Sequence, residues 1–176
     1  STGALEEAPE SIYLRDVHGL VCIGTERNAE ARAAFEAVLE SDPSDFIAWY
    51  GVGIVESWEG HHAEAIRRLR FVSDRAGGAT AFQTMLAGAL ARAGRRDEAE
   101  QIIAGLRAER DAGMPEFGGD LIYYAWAGEV DRAFQALRRA AEERIPGLLT
   151  GLWFPWYRPM REDPRWAILE PFLEGE

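Results

Sequence analysis

The chain contains no lysine: all 19 of its basic residues are arginine. A Schiff-base amine and the phosphate-gripping lysine of a P-loop are therefore both excluded. One cysteine, Cys22, rules out an internal disulfide and a Cys-based zinc site. No apolar run approaches the ~18 residues of a membrane span. The opening residues STGALEEAPE are acidic and lack the apolar stretch of a secretion signal, so a cytoplasmic location is expected. The start at Ser1 rather than Met suggests trimming or processing. Acids outnumber bases 30 to 19, a net charge of −11, which disfavours a polyanion partner such as nucleic acid. What is present is a 176-residue chain, 47% hydrophobic, long enough to bury one ordinary core.

A fixed period runs through it. Ala31, Ala65, Ala99 and Ala133 are spaced by 34 residues, each after a polar stretch. Gly60, Gly94 and Gly128 keep the same period five residues earlier, where the first copy has Glu26. Phe35, Leu69, Ile103 and Leu137 follow the alanines by four, and Val38, Val72, Leu106 and Ala140 by seven. Gly19, Gly53, Ala87 and Leu121 precede them by twelve. Within each copy the apolar residues fall at helical spacing on both sides of a glycine turn. Each copy therefore reads as a hairpin of two helices whose apolar face only a neighbouring copy can bury. The small residue and the alanine mark where the paired backbones touch. About nine helices and no strands are expected, with turns near residues 60, 94 and 128.

This period, with its small–Gly–Ala–aromatic–Pro pattern, resembles the tetratricopeptide repeat. Residues 48–69, AWYGVGIVESWEGHHAEAIRRL, carry the likeness most fully. Four repeats follow, at 12–45, 46–79, 80–113 and 114–145, behind a flexible tail at 1–11. His18 and Glu26 depart from the pattern in the first repeat, Asp120 and Leu121 in the fourth. Residues 127–173 are similar to the tail of a bacterial branch of the family found behind kinases, nucleotide cyclases and winged-helix regulators. The matching elements are Glu143–Pro146 and MREDPRW at 160–166. The tail implies a regulatory, signalling context; none of those effector modules lies in this chain.

Residues 146–176 read as a cap. Asp163 can accept hydrogen bonds at a helix start and Pro164 suits the first turn, with Trp166, Leu169, Phe172 and Leu173 on one face. The aromatic run WFPWY at 153–157 either covers the open end of the last repeat or forms a sticky patch for a partner.

The family resemblance implies that the first helix of each repeat lines a concave groove. Carried over by repeat position, that face holds Tyr13, Asp16 and Leu20; Tyr50, Ile54 and Trp58; Thr84, Gly88 and Arg92; and Ile122 and Trp126. The expected partner-binding residues are Tyr13, Leu20, Tyr50, Ile54, Trp58, Arg92, Ile122 and Trp126. Aromatics beside an arginine make effective interface anchors. The several Lys, Arg and Asn with which chaperone-binding relatives clamp a peptide carboxylate are missing as a set. Charge is uneven: residues 1–45 hold three Arg against ten acids, −7, which can steer a basic partner or serve as a solvated face.

Catalytic chemistry finds no foothold. His61 and His62, with Glu59 and Glu64, form the one cluster that suggests a metal, but adjacent histidines diverge on a helix and no HExxH spacing exists. Cys22 lies in an apolar helix and reads as a small core residue. The expected function is a non-catalytic scaffold for a protein or peptide, without metal or cofactor. The alternatives are a regulatory sensor for a small apolar ligand and a homo-oligomerisation module.

Overall fold

The computed structural model describes residues 9–112, 119–143 and 151–169. Eight helices follow one another as four pairs: α1 (Pro9–Gly24) and α2 (Asn28–Ser41), α3 (Phe46–Trp58) and α4 (His62–Arg75), α5 (Thr80–Arg92) and α6 (Arg96–Asp111), α7 (Gly119–Trp126) and α8 (Val130–Glu142). A 3-10 turn (Pro155–Tyr157), a short α9 (Arg158–Arg161) and a second 3-10 turn (Pro164–Leu169) complete the described chain. No strand occurs among these residues. The architecture is an all-α solenoid in the register that the period of 34 predicts. The odd-numbered helices pack on one another as well as on their even partners, so they form the inner, concave layer.

The hairpin turns share one mechanism. Gly60, Gly94 and Gly128 have φ of +86°, +78° and +75°, and Glu26 takes the same left-handed position at +59°. The next residue's N–H then reaches back to close the helix: Arg27 N to Cys22 O at 2.8 Å, His61 N to Glu56 O at 2.8 Å, Arg95 N to Leu90 O at 2.9 Å, and Glu129 N to Tyr124 O at 2.9 Å. This six-to-one bond satisfies a helix-end carbonyl and fixes where the second helix begins.

The periodic small residues set the helix spacing. All four repeat alanines are 0% exposed. The Phe35 ring is wedged between α1 and α3; a Cβ at Gly19 would stand 2.5 Å from it, and one at Gly51 would also collide with it. Gly88 gives the same clearance to the Trp126 indole.

Two features of the ends differ from the sequence reading, and the structure supplies the partners of a third, Asp120. Helix α1 begins at Pro9, so residues 9–11 of the expected tail are helical, while residues 1–8 lie outside the described residues. The element after Asp163 is a 3-10 turn; Asp163 accepts from Arg165 N at 2.9 Å as expected, and Phe172 and Leu173 lie outside the described residues. Asp120, the outlier of the fourth repeat, is buried and receives Arg139 at 2.6 Å, Arg107 at 2.9 Å and Arg110 at 3.4 Å. Burial alone would raise its pKa, but the hydrogen bond from Arg139 and the charge of Arg107 outweigh that and hold it below the ordinary value.

Candidate functional site

The concave face carries a row of residues one repeat apart: Gly24, Trp58, Arg92 and Trp126, each at the C-terminal end of its odd-numbered helix. The Arg92 guanidinium lies 3.9 Å from the centre of the Trp58 ring and its Nε donates to Ser57 O at 3.4 Å. Stacking a cation on a partly desolvated indole stabilises the pair by about 0.5–2 kcal/mol. Burial pulls the Arg92 pKa below its usual value. Trp58 meets Trp126 edge-on at 5.5 Å.

The chain itself lies across this row. Residues 153–157 run from the first repeat, where Trp153 sits at Gly24, to the fourth, where Trp156 meets Trp126. Trp156 stacks on Trp126 at 4.9 Å with 15° between the rings and meets Trp58 edge-on at 6.2 Å. Phe154 stacks on Trp156 at 4.4 Å, and Trp153 on Phe154 at 4.2 Å. Trp153 occupies the space that a side chain at Gly24 would fill. Arg158 then pairs with Glu26 at 2.8 Å, closing the strap onto the first repeat's turn. Arg161 Nη1 donates to Leu152 O at 2.7 Å and Phe154 O at 2.9 Å, fixing the strap's bend. Trp156 and Tyr157 are each 3% exposed, and burial drives the Tyr157 pKa upward. The aromatic run thus fills the concave face instead of covering the open end of the last repeat. That end is closed by Arg165, which pairs with Asp131 at 2.7 Å and lies over Phe134 at 4.3 Å, and by buried Leu169.

The expected binding residues separate into three groups. Tyr13 is exposed, and Arg92 is exposed beside the half-buried Trp58. Tyr50, Leu20 and Ile122 are half-buried, Tyr50 meeting Phe82 edge-on at 5.5 Å. Burial raises the Tyr50 pKa. Ile54 and Trp126 are 1% exposed: Ile54 belongs to the core, and Trp126 is covered by Trp156 and offers no surface while the strap is seated. Thr84 is also buried, its hydroxyl donating to Thr80 O at 2.8 Å.

Asp16 lies in the next row, one repeat from Tyr50. It is 6% exposed and its Oδ1 has no hydrogen-bond partner among the described residues. Burial, reinforced by the charge of Asp45, pushes its pKa up to about 6.

Sequence reasoning missed the grouping of His18, Cys22 and Glu30, whose ligand-type atoms all lie within 4.8 Å of one another. The signal was the His–Cys spacing of four, which puts both on one helix face. The Cys22 Sγ to His18 Nε2 distance of 3.5 Å is that of a thiol–imidazole hydrogen bond, and Glu30 is paired with Arg27 at 3.0 Å. His61, in the cluster the sequence singled out, lies 3.5 Å from Glu59 at a solvent-exposed turn.

Comparison with known families gives two matches. Residues 59–117 match a family model described as tetratricopeptide repeat, and residues 19–56 match a second model of the same description. Searches of curated proteins and of solved structures give no match.

Proposed function

The chain belongs to the tetratricopeptide-repeat family, and we propose that it is a non-catalytic scaffold that holds a protein or peptide segment on its concave face. Repeats of this family commonly mediate protein–protein interaction. The supporting observation is the strap: the row Gly24, Trp58, Arg92 and Trp126 accommodates an aromatic–proline segment, seating its Trp153 ring at Gly24 and its Trp156 ring on Trp126 and Trp58. A partner segment of like chemistry fits the same row, with Tyr50, Trp58 and Arg92 as its anchors. The strap leaves the Trp126 indole N–H and the Ser57 hydroxyl without partners among the described residues. Each such buried group costs about 1–3 kcal/mol, which lowers the work of exchanging the strap for a segment that offers carbonyl acceptors. Two of the three buried carboxylates, Glu56 and Asp120, are neutralised by arginine. The tail's likeness to segments behind kinases and cyclases supports a role in bacterial signalling.

Selection from a random peptide display library tests the reading. Aromatic peptides containing proline should be enriched on the native chain, more strongly on the Trp156→Ala/Tyr157→Ala variant, and lost on Trp58→Ala and Arg92→Ala variants of unchanged helicity. No enrichment on either the native chain or the strap variant would refute it.

A further inference from the structure

We propose that His18, Cys22 and Glu30 form a binding site for a thiophilic divalent cation of the zinc type, between the two helices of the first hairpin. The sequence reading expects no metal, because two of the ligands lie in α1 and the third in α2, and only the hairpin brings them together. One ligand atom from each residue lies within 4.8 Å of the other two. Cys22 Sγ stands 3.5 Å from His18 Nε2. Tetrahedral zinc, with Zn–S of about 2.3 Å and Zn–N of about 2.0–2.1 Å, sets such a sulfur and nitrogen about 3.5–3.6 Å apart. The pair therefore already has the separation that an ion between them requires. The other repeats show what is unusual here. The counterparts of His18 are Val52, Leu86 and Asp120, and those of Cys22 are Glu56, Leu90 and Tyr124. All six are buried, and their carboxylates are held by arginine, Glu56 by Arg68 and Asp120 by Arg107. The first repeat alone places a nitrogen and a sulfur ligand in these two columns.

Each ligand is held from behind. Cys22 is buried in the last turns of α1, and His18 lies one turn before it on the same helix face. Glu30 stands in the first turn of α2. Arg27 Nη1 donates to its Oε2 at 3.0 Å, and its Oε1 has no partner among the described residues. Arg27 is fixed in turn, its Nε donating to Thr25 Oγ1 at 3.0 Å and its backbone N–H to Cys22 O at 2.8 Å. Outer hydrogen bonds of this kind orient metal ligands and tune their affinity. The imidazole in contact with the buried thiol is itself exposed, so its rotation opens a path to Sγ. The exposed Glu30 side chain closes on the ion from the α2 side. The donor set selects the ion: thiolate, imidazole and carboxylate together suit Zn²⁺ or Co²⁺, whereas Mg²⁺ and Ca²⁺ take oxygen ligands. On binding, the thiol proton leaves to solvent, and thiolate and carboxylate balance the charge of the ion. Three protein ligands leave a fourth tetrahedral position for water or an external ligand. An ion held there ties α1 to α2 across the first turn.

Titration of the reduced full chain with Co²⁺ alone tests the site. The expected result is a sulfur-to-cobalt charge-transfer band in the near ultraviolet with the strong visible absorption of tetrahedral Co²⁺, both lost when Zn²⁺ is added. Cys22→Ser should abolish the charge-transfer band. His18→Gln and Glu30→Gln, both at exposed positions, should each weaken Co²⁺ binding by about tenfold or more with helicity unchanged. Zn²⁺ should also raise the melting temperature of the native chain more than that of His18→Gln. Absence of the charge-transfer band in the native chain would overturn the proposal. A band that neither His18→Gln nor Glu30→Gln weakens would do the same, since the thiol would then take the ion without the other two ligands. Unchanged Zn²⁺ affinity in Cys22→Ser would also overturn it, because the ion would then sit elsewhere on the chain.

Discussion

Asp120 gives the fourth repeat a buried charge network in addition to its apolar packing. Three arginines from α6 and α8 converge on its buried carboxylate. Removing one partner of a buried ionic network typically costs about 3–5 kcal/mol, because the remaining charges stay buried unpaired. Asp120→Ala is expected to destabilise the fold by about 3 kcal/mol in urea denaturation, far more than loss of the exposed Arg27–Glu30 pair would. Asp16 acts in the opposite direction. Its pKa of about 6 lies above the unfolded value of 3.8, so folding favours its neutral form. The stability it contributes is complete below pH 3.8 and is lost as pH rises through about 6. Asp16→Asn should therefore raise the melting temperature at pH 8 more than at pH 4.5; an equal change at both would contradict the assignment. That Asp120 departs from the repeat pattern was legible in the sequence. Its partners were not, because Arg107 and Arg139 lie in two different helices and only the packing of α7 against them brings them together.

The helix pairs were the most legible elements, because their signal is local and repeated. A glycine in the left-handed region stops one helix and its successor starts the next, so Gly60, Gly94 and Gly128 announced the turns. Glu26 takes the same conformation without being glycine, which the period revealed and composition alone would not. Nothing lies within 4 Å of a Cβ added at Gly94, whose φ is +78°. Gly94→Ala should still cost about 1–2 kcal/mol, since the penalty is in the backbone and not in packing; an unchanged denaturation midpoint would contradict this. The strap was the least legible element. Its aromatics have no helical or strand periodicity, and its seats on Gly24, Trp58 and Trp126 are contributed by three separate repeats. Sequence reading identified most of the row but could not tell that the chain's own Trp156 covers it. Gly24→Ala places a Cβ in the space of the Trp153 ring at the end of a helix, where alanine is otherwise well accepted. It should raise the rate of chymotrypsin cleavage at residues 153–157 by about tenfold while leaving helical circular dichroism intact; an unchanged rate would show that Trp153 does not hold the strap.

At the scale of the molecule, the solenoid is closed unevenly. Its last repeat is covered by α9 and the turn at 164–169, and its concave face is filled by residues 153–157. The rigid stack of hairpins supplies the shape, and the strap adds a competing occupant already present at high local concentration. The central claim is that the row Gly24, Trp58, Arg92 and Trp126 is a peptide seat and not merely a core. The most direct test is a labelled peptide of residues 151–162, GLWFPWYRPMRE, titrated against the native chain and the Trp156→Ala/Tyr157→Ala variant. The account predicts that the variant binds the peptide at least about tenfold more tightly than the native chain, and that adding Trp58→Ala abolishes the gain. A variant that keeps its helical content yet fails to bind the peptide would contradict the claim.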